Sequence, residues 1–252
     1  MRLLTLARDL RRRRARERQQ LFVAEGIRTV EELLDANLAV HGVLASPELA
    51  RSSRGAALIA ATHARGIPYL EVSEAEFTSA ADTETPQGVL AVAPVPERSL
   101  EQLTIGATPR VLVLDAVQDP GNVGTMLRTA AALGAAGTVA LPGTVDLWNA
   151  KVVRSAMGSL FRHHALACPT EALVAWLAAR DIPLWGADMH GDPVSAGVAP
   201  GQLALAVGNE GGGLTPPVRA AAARLVSIPI ASTVESLNVA VATGILLYEL
   251  RP

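Results

Sequence analysis

Three glycines beside a carboxylate, in Gly208-Asn209-Glu210-Gly211-Gly212-Gly213-Leu214, end an apolar run, and Ile228-Pro229 and Ser236-Leu237-Asn238 follow downstream. Glycine loses more conformational entropy on folding than any other residue, so three in succession point to close backbone approach to a bound molecule. Glu210 puts an acceptor at that approach. Ser236 and Asn238 open a long apolar helical pattern, where Ser236 suits a cap and Asn238 is a poor helix former. Upstream, Asp119-Pro120-Gly121-Asn122 is strong turn chemistry, with Asn122 placed to cap a helix that carries Arg128. Each segment alone also fits a plain turn, a cap or a surface arginine. The glycine loop lacks the lysine of a Walker A loop and the spacing of a dinucleotide fingerprint, so nucleotide phosphates are not its expected ligand.

The elements that must hold these residues alternate. Apolar strand-like runs at 111–114, 138–141, 184–187, 203–207 and 225–228 are separated by helical patterns at 123–134, 149–159, 170–180, 215–223 and 236–250. Near-continuous apolar strands between helices predict a parallel sheet covered on both faces. Ligands of such sheets bind beyond the carboxyl ends of the strands, where all three segments fall. The first part of the chain predicts a smaller α/β domain: a basic helix over 4–20, a strand over 22–26, a helix over 29–36, a strand over 40–45, helix over 47–65 broken near Ser52-Ser53, and strands at 68–72 and 88–93. Pro94, Pro96, Gly106 and Pro109 mark a linker. The expected domains are therefore 1–104 and 105–252.

Composition excludes several classes of function. Half the 252 residues are hydrophobic and 18% are charged, as in a globular protein with a sizeable core. The longest apolar runs are far short of the roughly 20 residues that span a bilayer, and the arginine-rich opening does not read as a signal peptide. A cytoplasmic protein is expected. Cys168, the single cysteine, excludes an internal disulfide, and adjacent His163 and His164 cannot act as helix-spaced ligands, so no metal is expected. The net charge of −2 conceals a basic first segment: residues 1–28 hold nine arginines against Asp9, Glu17 and Glu25, a local +6. A polyphosphate responds to such a patch, although a solvated helix face has the same composition.

Together the three segments resemble the SpoU family of RNA ribose 2′-O-methyltransferases, in the SPOUT superfamily. Asp119 to Gly124 with Arg128 is similar to the family's Asn-and-Arg motif, Gly208 to Leu214 to its glycine–glutamate motif, and Ile228-Pro229 with Ser236-Leu237-Asn238-Val239-Ala240-Val241 to its last motif. Ala240 departs from the pattern, since many relatives carry a second serine there. The basic helix leading into Phe22 to Gly26, and Thr85-Pro86-Gln87-Gly88-Val89, resemble more weakly the family's small RNA-binding domain. The resemblance implies a C-terminal parallel sheet with a deep trefoil knot, an exception to the unknotted rule. It also implies S-adenosylmethionine as cofactor, held by Gly208, Ile228 and Leu237, and catalysis that draws on Asn122, Arg128, Glu210, Ser236 and Asn238. It further implies an RNA substrate, with large-subunit ribosomal RNA favoured over transfer RNA, and a homodimer to which the helix from Leu237 to Leu250 contributes. A catalytically silent RNA-binding or assembly factor of the same fold is the alternative. A nicotinamide oxidoreductase is disfavoured, because Asp-Pro-Gly-Asn stands where its glycine fingerprint would be.

Overall fold

The computed structural model describes residues 2–194 and 199–251. The basic N-terminal segment is two helices, α1 (Leu3–Asp9) and α2 (Arg13–Gln19), where one was expected over 4–20. The break lets the Asp9 carboxylate accept from Arg12, Arg18 and Gln19 at once, which an unbroken run of arginines could not offer. Arg16 is buried and donates to the carbonyls of Leu10 and Arg11, so it caps the end of α1. The segments that follow are β1 (Leu21–Glu25), α3 (Ile27–Asp35), β2 (Gly42–Ala45), α4 (Ser53–Ala64), β3 (Tyr69–Glu71), α5 (Glu74–Ala80) and β4 (Val89–Pro94). Helix α5 is not among the expected elements, although Ser73 and Glu76 form a full capping box at its start. The four strands pair in the order β1-β4-β2-β3, with β2 and β3 parallel and the other pairs antiparallel.

Then come β5 (Arg110–Leu114), α6 (Pro120–Ala132), β6 (Gly137–Ala140), α7 (Ala150–Ser155), α8 (Ser159–Arg162), β7 (Ala165–Ala167), α9 (Thr170–Ala178), β8 (Leu184–Pro193), β9 (Leu203–Val207), α10 (Pro216–Ala221), β10 (Arg224–Ser227) and α11 (Val239–Glu249). The helix expected over 149–159 is interrupted because Met157 and Gly158 both take the left-handed conformation, at φ 49° and 85°. The six strands of this part are all parallel, in the order β10-β8-β9-β5-β6-β7. Val111 and Val113 of β5 face a layer built on Leu173, Trp176 and Leu177, whereas Leu112 and Leu114 are buried on the opposite side, as expected of a sheet covered twice.

The chain divides into two compact units, Met1–Glu97 with Trp148–Arg162, and Arg98–Leu147 with His163–Pro252. This division differs from a single boundary near residue 105 in grouping Trp148–Arg162 with the first unit. The reason is packing. Within the first unit, the Phe22 ring lies 4.5 Å from that of Trp148 and 5.9 Å from that of Phe161, and Arg162 pairs with Glu32 at 2.7 Å.

Candidate active site

The site is built at the carboxyl ends of β5, β9 and β10. Because β5 and β9 pair in register, with Leu114 opposite Val207, the residues after them emerge side by side. The Asp115 carboxylate is buried and accepts from the N–H and hydroxyl of Thr215 at 2.6 and 3.1 Å, which ties the exit of the glycine loop to the end of β5. Ala116 is left-handed, at φ 55°, and its carbonyl accepts from Asn209 Nδ2 at 3.1 Å. Asn209 Oδ1 accepts from the N–H groups of Gly211 and Gly212. Asn209 and Gly213 exchange two backbone hydrogen bonds of 2.9 Å, so Glu210, Gly211 and Gly212 form the tip of a closed loop. None of Asp115, Asn209 and Thr215 is among the expected site residues. Only Asn209 lies within a glycine-rich motif, and its partners are sequence-distant.

Gly208 is required by the loop itself. A Cβ at that position would meet the carbonyl carbon of Gly213 at 2.2 Å and the N of Leu214 at 2.5 Å. The expectation that Gly208 makes room for a ligand is thus accompanied by a nearer cause, the return of the chain.

Asn122 does not cap α6. Asp119 is the cap, accepting the Asn122 N–H at 2.7 Å, with Pro120 in the first turn. The Asn122 side chain is thereby left for longer-range contacts. Its Nδ2 donates to Glu210 Oε1 at 2.9 Å, and its Oδ1 accepts from Asn238 Nδ2 at 3.0 Å. Asn238, not Ser236, is the cap of α11: its Oδ1 accepts from Ala240 and Val241 N–H. That fixes the polarity of the whole chain of amides. With Oδ1 of Asn238 committed to the helix, its amide N–H must donate to Asn122, whose own N–H must then donate to the carboxylate. Three residues from three segments are thus aligned, Asn238 donating to Asn122 and Asn122 to Glu210.

Arg128 is outside this chain. It is exposed on α6 and makes no hydrogen bond or ion pair among the described residues, and it lines a groove with Thr125, Gly244, Ile245 and Tyr248. Ser236 is exposed, and it too makes no hydrogen bond among the described residues.

Gly208, Ile228 and Leu237 share the lining of one cleft of about 360 Å³, to which Glu210, Ser236, Val207, Ile230 and Leu246 also contribute. Among the described residues, the backbone N–H and C=O of Ile228, Ile230 and Leu237 make no hydrogen bond. Apolar walls with unused backbone donors and acceptors suit a flat heterocycle carrying both kinds of edge, and the volume lies in the range of small-molecule sites. An adenosine fits that description. Asp188, on the same lining, is held below the usual carboxyl range: burial opposes its ionisation, but the His190 N–H and the paired Arg219 outweigh it.

Residues 109–248 match the SpoU rRNA Methylase family, and residues 5–91 match the MRM3-like substrate binding domain. The chain is 36% identical over 244 residues to the 23S rRNA (guanosine(2553)-2′-O)-methyltransferase RlmP of Bacillus subtilis, covering 96% of this chain and 93% of that protein. Among solved structures, the adenosylmethionine-bound rRNA methyltransferase of Sinorhizobium meliloti superposes with a TM-score of 0.85 at 30% identity, over 99% of this chain and 94% of that one. The SpoU methyltransferase AviRb of Streptomyces viridochromogenes, also in complex with adenosylmethionine, gives 0.87 at 27% identity, over 99% and 97%.

Proposed function

The chain belongs to the SpoU rRNA methylase family, and from that membership we propose that it transfers the methyl group of S-adenosylmethionine to a ribose 2′-hydroxyl of large-subunit ribosomal RNA. The observation that carries this reading is the aligned chain Asn238–Asn122–Glu210, whose carboxylate shares a cleft with Gly208, Ile228 and Leu237. S-adenosylmethionine supplies a methyl group on a positively charged sulfur, open to in-line attack by an oxygen that gives up its proton. The protein's share is alignment, the largest gain available to a two-reactant displacement. Gly208, Ile228 and Leu237 hold the adenosine through their backbone groups and apolar walls. Asn122 and Asn238 fix Glu210, which together with Ser236 orients the ribose and the loops. Arg128 keeps its charge throughout, because a guanidinium is too weak a base to take a hydroxyl proton. Its part is to stabilise phosphate and developing alkoxide, with water or a phosphate as proton acceptor.

The same reading includes a homodimer. Val241, Ile245 and Tyr248, spaced along one side of α11, are 53%, 37% and 53% exposed, and such an apolar stripe suits burial against a second copy. It also includes the trefoil knot of the C-terminal part, supported by the strand order, in which the connection from β9 to β10 must pass β8. Among the described residues no helix is long and apolar enough to cross a membrane, and a ribosomal substrate assigns the protein to the cytoplasm. The test is transfer of radiolabelled methyl from S-adenosylmethionine to unmodified ribosomal and transfer RNA, followed by nucleoside analysis. Label on a ribose 2′-oxygen of 23S RNA is the expected result. Label on transfer RNA alone, or cofactor binding without transfer to either, would overturn the substrate or the activity respectively.

A further inference from the structure

A second cleft, of about 410 Å³, lies wholly within the first unit, and Arg28, Arg54, Thr85, Gln87, Arg154 and Met157 are on its lining. Its acceptors are already used. Glu25 is 2% exposed, and its carboxylate takes the N–H groups of Asp82 and Thr83 and the Thr83 hydroxyl. Gln87 Oε1 takes the N–H of Ile27 at 3.0 Å. What remains are donors. Arg28 is exposed and has no partner among the described residues, and neither does the Thr85 hydroxyl. Arg154 Nη1 is shielded from solvent with no hydrogen bond, its nearest charge being Asp82 at 3.5 Å. Arg54 is committed to Glu31 and leaves the charge of the cleft to the other two arginines.

A buried N–H without an acceptor is unfavourable, by about 1–3 kcal/mol when nothing replaces water. A ligand rich in acceptors and poor in donors would complete Arg28 and Thr85, and would meet the part of the Arg154 side chain, 32% exposed, that lines the cleft beside its ion pair with Asp82. We propose that this cleft binds the phosphodiester backbone of the RNA substrate, with Arg28 and Arg154 on phosphate oxygens. The inference rests on the RNA methyltransferase reading and adds the place where the first unit grips its substrate. Trp148–Arg162, which lies inside the stretch matched to the methylase family, supplies Arg154 and Met157, so the grip is not made by the substrate-binding segment alone.

The test uses the full chain and a 23S ribosomal RNA transcript in filter binding across a salt series. Arg28→Ala and Arg28→Glu are chosen because Arg28 supports nothing else in the fold. Removing one phosphate interaction should lower the slope of log affinity against log salt by roughly 0.7–0.9, which is about a threefold change between 50 and 200 mM salt. Arg28→Lys should recover most of the slope. Affinity for S-adenosylmethionine should equal that of the wild type. Unaltered RNA affinity and slope in folded Arg28→Glu would overturn the inference. If the wild-type chain methylates 23S RNA while Arg28→Glu binds as well as wild type, only the cleft assignment falls; absence of methylation by wild type would count against the functional reading instead.

Discussion

Replacing Gly208 by alanine tests whether the glycine loop is closed by its own backbone. The added Cβ would lie 2.2 Å from the Gly213 carbonyl carbon and 2.3 Å from its oxygen, and both are main-chain atoms that cannot rotate away. The return strand must move by most of an ångström. That movement breaks the paired Asn209–Gly213 hydrogen bonds, at about 1 kcal/mol each net, and overpacking adds about 1–3 kcal/mol. The expected loss is about 3–5 kcal/mol, or roughly 6–20 °C in melting temperature at about 2–4 °C per kcal/mol for a chain of this size. Calorimetry of Gly208→Ala and isothermal titration with S-adenosylmethionine make the measurement. Gly211→Ala is the internal control: its Cβ would meet nothing nearer than Asn209 Oδ1 at 3.7 Å, and its φ is not positive. It should melt within about 0.5 kcal/mol of wild type. Equal melting of Gly208→Ala and wild type would refute the steric argument.

Asn238→Asp keeps the cap of α11, since aspartate caps as well as asparagine, but removes the N–H that donates to Asn122; stability should hold within about 1 kcal/mol while methyl transfer falls, and unchanged transfer would remove Asn238 from the alignment. Arg128→Ala should retain adenosylmethionine affinity and lose methyl transfer, and near wild-type turnover would exclude Arg128 from the reaction. Tyr248→Glu places a charge on the exposed stripe of α11 and should shift a dimer to monomer in sedimentation, an outcome that an unchanged mass would contradict. His163 is buried against Thr138, and its pKa is lowered to about 4, chiefly by burial and then by Arg98 and His164. The unfolded chain binds the extra proton first, near pH 6.5, so stability is complete above that value and falls as the pH drops from 6.5 to 4, by about 3 kcal/mol in all. Thermal melts of wild type and His163→Gln across this range should diverge at the neutral end and converge at the acid end.

The parallel sheet was legible because each of its longer strands is an apolar run that reads the same from both faces, as Val111–Leu114 and Leu203–Val207 do. The site was legible as a set of segments but not as a set of contacts. Ser236 and Asn238 are both cap-type residues two positions apart, and only the hydrogen bonds of Asn238 Oδ1 to the Ala240 and Val241 N–H groups show that the helix begins at Val239. Asn122 and Asp119 pose the same choice, settled by which side chain reaches the first turn. Asp115 and Thr215 are 100 residues apart and form no motif, so nothing local marks their bond. The short β7, Ala165–Ala167, lacks the length that would separate it from a loop.

The packing of Trp148 and Phe161 on Phe22 sets an order of events during synthesis. The sheet of the first unit is complete in sequence at Pro94, yet Phe22 meets its aromatic neighbours only after Arg162 has been made. At roughly 5–20 residues per second, translation leaves an interval of several seconds in which β1 stands formed with that face open. A nascent chain of this protein therefore passes through a window of exposed aromatic surface, and a folding helper or slow codons between Pro94 and Trp148 would act on that window.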